Sequence, residues 1–316
     1  MSKLFKAASS PHIRHEDSTA GIMFDVILAL MPAAVYGCIM FGYKAALVLL
    51  TTVAAAVLAE CLWNLILKKP QTVTDFSAAL TGLLLGMNLS PRTPLWIAAI
   101  GSVAAIIVVK QMFGGLGYNF VNPALSARVI LLVSFPSFMT VFSEPTSDVV
   151  TSATPLADIG GFSLNDLFFG THAGCIGETS VFLLLFGGLY LIIRRVINPI
   201  IPLSFIGTVA LFAALAALFT GKADIGEYTL KYILSGGLML GAIFMATDYV
   251  TSPTANLGKL IFGIGCGAIT FVIRYFGSLP EGVSYSILLM NIVTPLINRI
   301  PFGRPFGYIK EVKKDA

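Results

Sequence analysis

Three hydroxyls cluster in the run DVVTSATPLADIGGFS at 148–163: Thr151, Ser152 and Thr154. A hydroxyl is a weak nucleophile until a base activates it. No histidine lies close in sequence, so a serine-hydrolase reading has little support, and a polar Ser/Thr/Pro turn on a surface loop is the plainer one. A second group sits in GGLGYNFVNPALSARVIL at 114–131, where Asn119 and Asn122 stand three apart before Pro123. Each amide offers donors and an acceptor. Beside a broken helix, two of them can read the edge of a planar heterocycle. The alternative is a turn with an asparagine cap ahead of a first-turn proline. Arg128 enters the same apolar run, where a cation requires a carboxylate, a phosphate or water.

Acids also fall in or beside apolar runs: Asp25, Glu60, Asp75 and Asp248. A carboxylate in a membrane is costly and is by default a functional candidate. Asp25 and Glu60 lie near segment ends, so interfacial solvation is an open alternative for both. Asp248, in FMATDYVTSP, is the stronger candidate for a cation or proton contact. Gly277, Pro280 and Gly282 force a turn before the last helix, and Glu281 is expected at its N-terminal end, favoured by the helix dipole. His12 and His15 have no partner spacing and are weak ligands. Cys38, Cys61, Cys175 and Cys266 form no CxxC or Cys/His cluster, so a metal centre built by this chain alone is not expected.

The elements that position these residues follow from composition. Of 316 residues, 56% are apolar and 11% charged, against about 25% charged in a soluble domain. Mean hydropathy is +0.87. These values exclude a soluble enzyme, a disordered regulator and a nucleic-acid binder. They describe an all-α, multi-pass membrane protein in which each span needs about 20 apolar residues. Ten segments are expected: 21–42, 45–66, 76–90, 94–109, 123–136, 179–193, 200–220, 229–247, 258–276 and 283–299. Several are too short to cross alone. Short segments broken by Gly and Pro point to discontinuous helices around a binding site. No removable signal peptide is expected.

Charge orients the segments. With the N-terminus in the cytoplasm, fourteen of the 20 Lys and Arg fall on cytoplasmic positions, Lys110 among them, and five on the outer side. By the positive-inside rule both termini are cytoplasmic. Residues 129–193 contain no Lys or Arg, which places the long polar stretch outside. The expected organisation is a tail at 1–20, a first membrane unit at 21–136, an extracytoplasmic loop at 137–178, a second unit at 179–300 and a tail at 301–316.

The two units echo each other. GLLLG, SP and QMFG at 82–86, 90–91 and 111–114 recur as GLMLG, SP and RYFG at 237–241, 252–253 and 274–277. Offsets of 155 to 163 residues suggest a duplication. Five segments per unit is an odd number, so the second copy enters from the opposite face, an inverted repeat with broken half-helices. Broken helix ends are tolerated at membrane depth only around a cavity or ligand.

Six stretches in order, SPHIR (10–14), FDVILALMPA (24–33), GYNFVNPALSARVIL (117–131), TSATPLA (151–157), MATDYVTSP (245–253) and LPEGVSYSILLMN (279–291), resemble the family of D subunits of the Rnf complex. The subunit designated B in the sodium-pumping NADH:quinone reductase is a relative. The resemblance covers almost the whole chain. It implies that Thr154 is the acceptor of a covalent FMN, joined through a phosphodiester, with Thr151, Ser152 and Ala153 preceding it and Asp148 beginning the motif. Ser152 departs from the commoner Gly. The resemblance further implies a noncovalent riboflavin at Asn119 and Asn122, toward the cytoplasmic side, and a part for Asp248 and Glu60 in sodium handling.

The implied function is a flavin-bearing subunit of an ion-translocating oxidoreductase in a prokaryotic cytoplasmic membrane, passing electrons between ferredoxin and NAD+ partners. It would work with Rnf subunits A, B, C, E and above all the FMN-bearing G, with a flavin transferase for maturation and with membrane lipid. It would not act alone, having no dinucleotide fingerprint and no cluster motif. Two alternatives stand beside it. One is the quinone-reducing relative, whose subunit usually carries a longer N-terminal region. The other is a transporter of the same repeat architecture without redox chemistry, which would have no use for a flavin acceptor loop.

Overall fold

Long uninterrupted apolar runs and short interrupted ones alternate along this chain, and they set the lengths of its helices. The computed structural model describes residues 18–142, 155–156, 161–221, 224–277 and 282–300. The first unit contains α1 (Thr19–Phe41), α2 (Tyr43–Ile66), α3 (Ser77–Met87), α4 (Leu95–Ala104) and α5 (Pro123–Ser134). The short α6 (Pro136–Met139) and α7 (Leu164–Phe169) follow. The second unit contains α8 (Val181–Ile193), α9 (Ile200–Phe219), α10 (Ile225–Leu234), α11 (Leu238–Leu240), α12 (Asn256–Phe276) and α13 (Val283–Asn298). All ten expected segments correspond to helix, and no strand occurs among the described residues.

Among the described residues, only α1, α2, α9 and α12 are each long and apolar enough to cross a membrane by themselves. The segment expected at 229–247 is not one straight span. It breaks at Ser235–Gly237, and its two arms are bent by 65°. Five shorter apolar helices complete the set: α3, α4 with its extension, α5, α8 and α13. Outward faces carry large apolar side chains, including Ile66, Leu203, Phe219 and Phe276. In a soluble chain such a surface would aggregate; here it faces lipid.

The two units pack in the same order. α2 lies against α3 and α4, as α9 lies against α10 and α12; α4 meets α5 as α12 meets α13. The units join through α1 on α8 and α5 on α13. Close packing in lipid needs small residues at the crossing. At Gly82 of α3 a Cβ would stand 2.7 Å from the Thr52 carbonyl oxygen and 2.8 Å from the Val53 Cα of α2, backbone atoms that a side chain would have to push apart.

Both units also contain a π-helical turn. Ala105–Gln111 extends α4, and Gly241–Met245 extends α11. Such insertions are rare and concentrate at functional sites.

Candidate functional site

The π-turn on α4 carries Lys110 and Gln111. Adjacent side chains on a regular α-helix point about 100° apart, yet these two converge on one carboxylate. Lys110 Nζ lies 3.2 and 3.0 Å from Glu60 Oε1 and Oε2, and Gln111 Nε2 donates to Glu60 Oε1 at 3.0 Å. Thr72 Oγ1 donates to the same oxygen at 2.6 Å, and Lys110 also donates to Ser77 Oγ at 2.6 Å. Lys110 and Glu60 are 2% and 1% exposed. A buried ion pair is tolerated only when its remaining lone pairs and protons are satisfied, and here they are. Asp75 accepts from the backbone N–H of Ser77 at 2.8 Å at the start of α3.

Lys110 and Ser77 form one side of a cavity of about 90 Å³, also lined by Asn119, Asn122 and Asp248. The expected noncovalent-ligand residues and the expected acid are therefore neighbours, although the sequence separates them widely. The rest of the lining is largely apolar, with Met23, Val26, Leu80, Leu84 and Phe244. An apolar lining with a few convergent polar groups is the character of a small-molecule site.

Asn122 and Asn119 differ in what they have left to offer. Asn122 caps α5, its Oδ1 accepting from Ala124 N and Leu125 N at 3.1 and 3.2 Å. Its Nδ2 donates to the Met245 carbonyl of the second unit's π-turn at 3.2 Å. The cap and the cavity wall are thus the same residue. Among the described residues Asn119 donates only to the Val121 carbonyl, at 3.3 Å, with one N–H and the amide oxygen unused. It is the one of the two able to read a donor-and-acceptor edge. Asp248 accepts from Thr251 Oγ1 at 3.0 Å.

Arg128 is buried farther along α5. It donates to Asn88 Oδ1 at 2.6 Å and reaches Ser284 Oγ and Cys175 Sγ, each at 3.4 Å. The guanidinium ties the end of α3, the start of α13 and the turn before α8 together. Asp25 joins the two units at their other end, accepting from Tyr190 and Arg194 of α8, each at 3.0 Å. In the connection between α7 and α8, burial holds the His172 imidazole below its ordinary pKa.

Asp148, Thr151, Ser152, Ala153 and Thr154 lie outside the described residues, as do Glu281, His12 and His15. Pro155, next to Thr154, is buried. Among the described residues, no group of three His, Cys, Asp or Glu is arranged to hold a metal. Sequence reading missed Lys110 and Gln111 as site residues. It placed Lys110 at a cytoplasmic loop position, whereas the π-turn buries it. The available signal was a lone Lys-Gln pair closing an apolar run in a chain that also carries Glu60 in an apolar run.

The family model described as NQR2, RnfD, RnfE family matches residues 6–307. The chain is 48% identical, over 98% of its length and 97% of the relative's, to the subunit designated D in the Na(+)-translocating ferredoxin:NAD(+) oxidoreductase complex of Acetobacterium woodii. It is 45% identical, over 96% of each chain, to the subunit designated D in the proton-translocating ferredoxin:NAD(+) oxidoreductase complex of Clostridium ljungdahlii. It is 35% identical, over 97% of its length and 99% of the relative's, to the subunit designated D in the ion-translocating oxidoreductase complex of Escherichia coli strain SE11.

Proposed function

This chain belongs to the NQR2, RnfD, RnfE family, and from that membership we propose that it is the flavin-carrying membrane subunit of an ion-translocating ferredoxin:NAD+ oxidoreductase. It holds FMN covalently on Thr154 and riboflavin noncovalently in the cavity between the two units. It works only in assembly with Rnf subunits A, B, C, E and G, receives electrons from the FMN-bearing G, and depends on a flavin transferase for its own covalent cofactor. Bound flavin supplies the one- and two-electron redox chemistry that no side chain provides.

The observation that carries this reading is the convergence of Asn119 and Asp248 on one cavity with a buried ammonium in its wall. The donor set would suit an isoalloxazine and its sugar-like tail. Apolar side chains from α1 and α3 would cover a flat ring, the open amide of Asn119 would complement a ring edge that alternates carbonyl and N–H, and Asp248 would accept from hydroxyls. Lys110, paired with Glu60, would supply positive charge to offset the negative charge of a reduced ring. Ion movement coupled to electron transfer requires two arrangements whose balance depends on cofactor charge, and Lys110 and Asp248 are the charged residues in the described lining of the cavity.

Two flavin measurements on the assembled complex test the reading. In a denaturing gel, the wild-type band fluoresces and Thr154→Val is dark. In acid extracts of native complex, Asn119→Leu loses noncovalent flavin while its Thr154 fluorescence persists. A dark wild-type band, with the transferase active on another substrate, overturns the covalent assignment. Undiminished extractable flavin in Asn119→Leu overturns the cavity assignment.

A further inference from the structure

A second cleft, of about 560 Å³, opens beside the first, with Val196, Ile197, Thr247 and Tyr249 in the lining of both. Its polar lining comprises Arg195, Lys259, Asn198, Ser252, Thr254 and Tyr249, and no Asp or Glu contributes. Among the described residues neither Arg195 nor Lys259 has an ion pair. The Ser252 side chain is 8% exposed, yet its hydroxyl makes no hydrogen bond among the described residues. Among the described residues the cleft gathers two cations and the Ser252 hydroxyl with no carboxylate in its lining.

Its position in the fold narrows the ligand. It lies where α8 turns into α9 and where the Ser252–Pro253 turn leads into α12, on the face the Lys/Arg bias assigns to the cytoplasm. The first turns of α9 and α12 also expose Leu203, Leu257 and Leu260, so apolar surface begins beside the cations. The first unit also has a basic cleft at the corresponding turn. Pro91, Arg92 and Thr93 of the other Ser-Pro turn surround a smaller cleft, of about 340 Å³, with Lys44 at the start of α2. Matching basic clefts at matching turns belong to the repeated unit itself.

We propose that the Arg195–Lys259–Ser252 cleft binds the phosphate headgroup of an anionic phospholipid of the cytoplasmic leaflet. The two cations neutralise the phosphodiester, the hydroxyl of Ser252 donates to a phosphate oxygen, and the acyl chains lie on the exposed leucines of α9 and α12. Basic pockets between membrane helices on this side suit such headgroups. The proposal does not depend on the flavin assignment, because none of the three residues lines the first cavity.

The test uses the assembled complex, solubilised gently and washed with phosphatidylcholine. Retained phosphatidylglycerol is counted by mass spectrometry of the intact assembly. Arg195→Gln/Lys259→Gln is expected to lower occupancy of one phosphatidylglycerol at least threefold, with the exposed Lys69→Gln as an unaffected control. Ser252→Ala should lower it less. Should the double variant fail to assemble, Arg195→Lys/Lys259→Arg keeps the charge and is expected to retain the lipid, while Ser252→Ala carries the loss. Equal retention in wild type and variants overturns the proposal. Displacement of the lipid by excess inorganic phosphate identifies a free-anion site and overturns the lipid assignment. Loss of a peripheral subunit in place of lipid identifies a protein interface, with the same consequence.

Discussion

Lys110 and Glu60 form an ion pair of 3.0 Å with both side chains almost fully buried, fifty residues apart in the chain. Removing one partner leaves the other charge buried alone, which costs about 3–5 kcal/mol. Lys110→Met and Glu60→Gln should each lower the unfolding temperature of the purified complex. The double variant should be less destabilised than the two single effects summed, by a coupling of about 1–3 kcal/mol. Additive losses would mean that the two groups do not compensate each other.

Asn122 and Asn119 line one cavity but should fail differently. Asn122→Ala removes the cap of α5 and the bond to the Met245 carbonyl. A lost cap alone costs about 1 kcal/mol, so both unfolding temperature and extractable flavin should fall. Asn119→Leu removes one weak internal bond and should lower flavin with stability nearly unchanged. Paired melting curves and flavin extracts separate the two outcomes.

Gly170 ends α7 at φ +84°, and a Cβ there would fall 1.1 Å from the Thr179 carbonyl oxygen. Left-handed backbone costs a non-glycine residue about 1–2 kcal/mol, and the collision adds to it. Gly221 has φ +66° with open space around its Cβ. Gly170→Ala should therefore reduce yield and unfolding temperature well beyond Gly221→Ala, measured side by side.

His172 supplies a pH dependence. Burial lowers its pKa below the unfolded value, outweighing the Ala173 carbonyl and Asp166, which both raise it. The unfolded chain then binds more protons in the window below the unfolded pKa of about 6.5. Stability is full above that window and is lost as pH falls through it. His172→Gln should flatten the unfolding temperature measured between pH 7 and pH 5; an unchanged slope would assign the dependence to other groups.

The ten apolar segments, the polar stretch between units and the Ser-Pro echo were legible in the sequence. Span length and turn chemistry are local properties: run length sets where a helix can lie, and Gly and Pro set where it stops. Asn122 was legible as a cap, because the proline after it marks a helix start. The motif around Thr154 was read from family resemblance rather than from its hydroxyls, and it lies outside the described residues. Segment 229–247 reads as one continuous apolar span, and only the tertiary structure shows the break at Ser235–Gly237. The meeting of Lys110 with Glu60, of Asn122 with Met245, and of Asn119 with Asp248 around one cavity was likewise decided by tertiary structure. Apolar periodicity records which residues avoid water, not which helices touch. A buried charge finds its partner only when packing between helices closes off solvent from both.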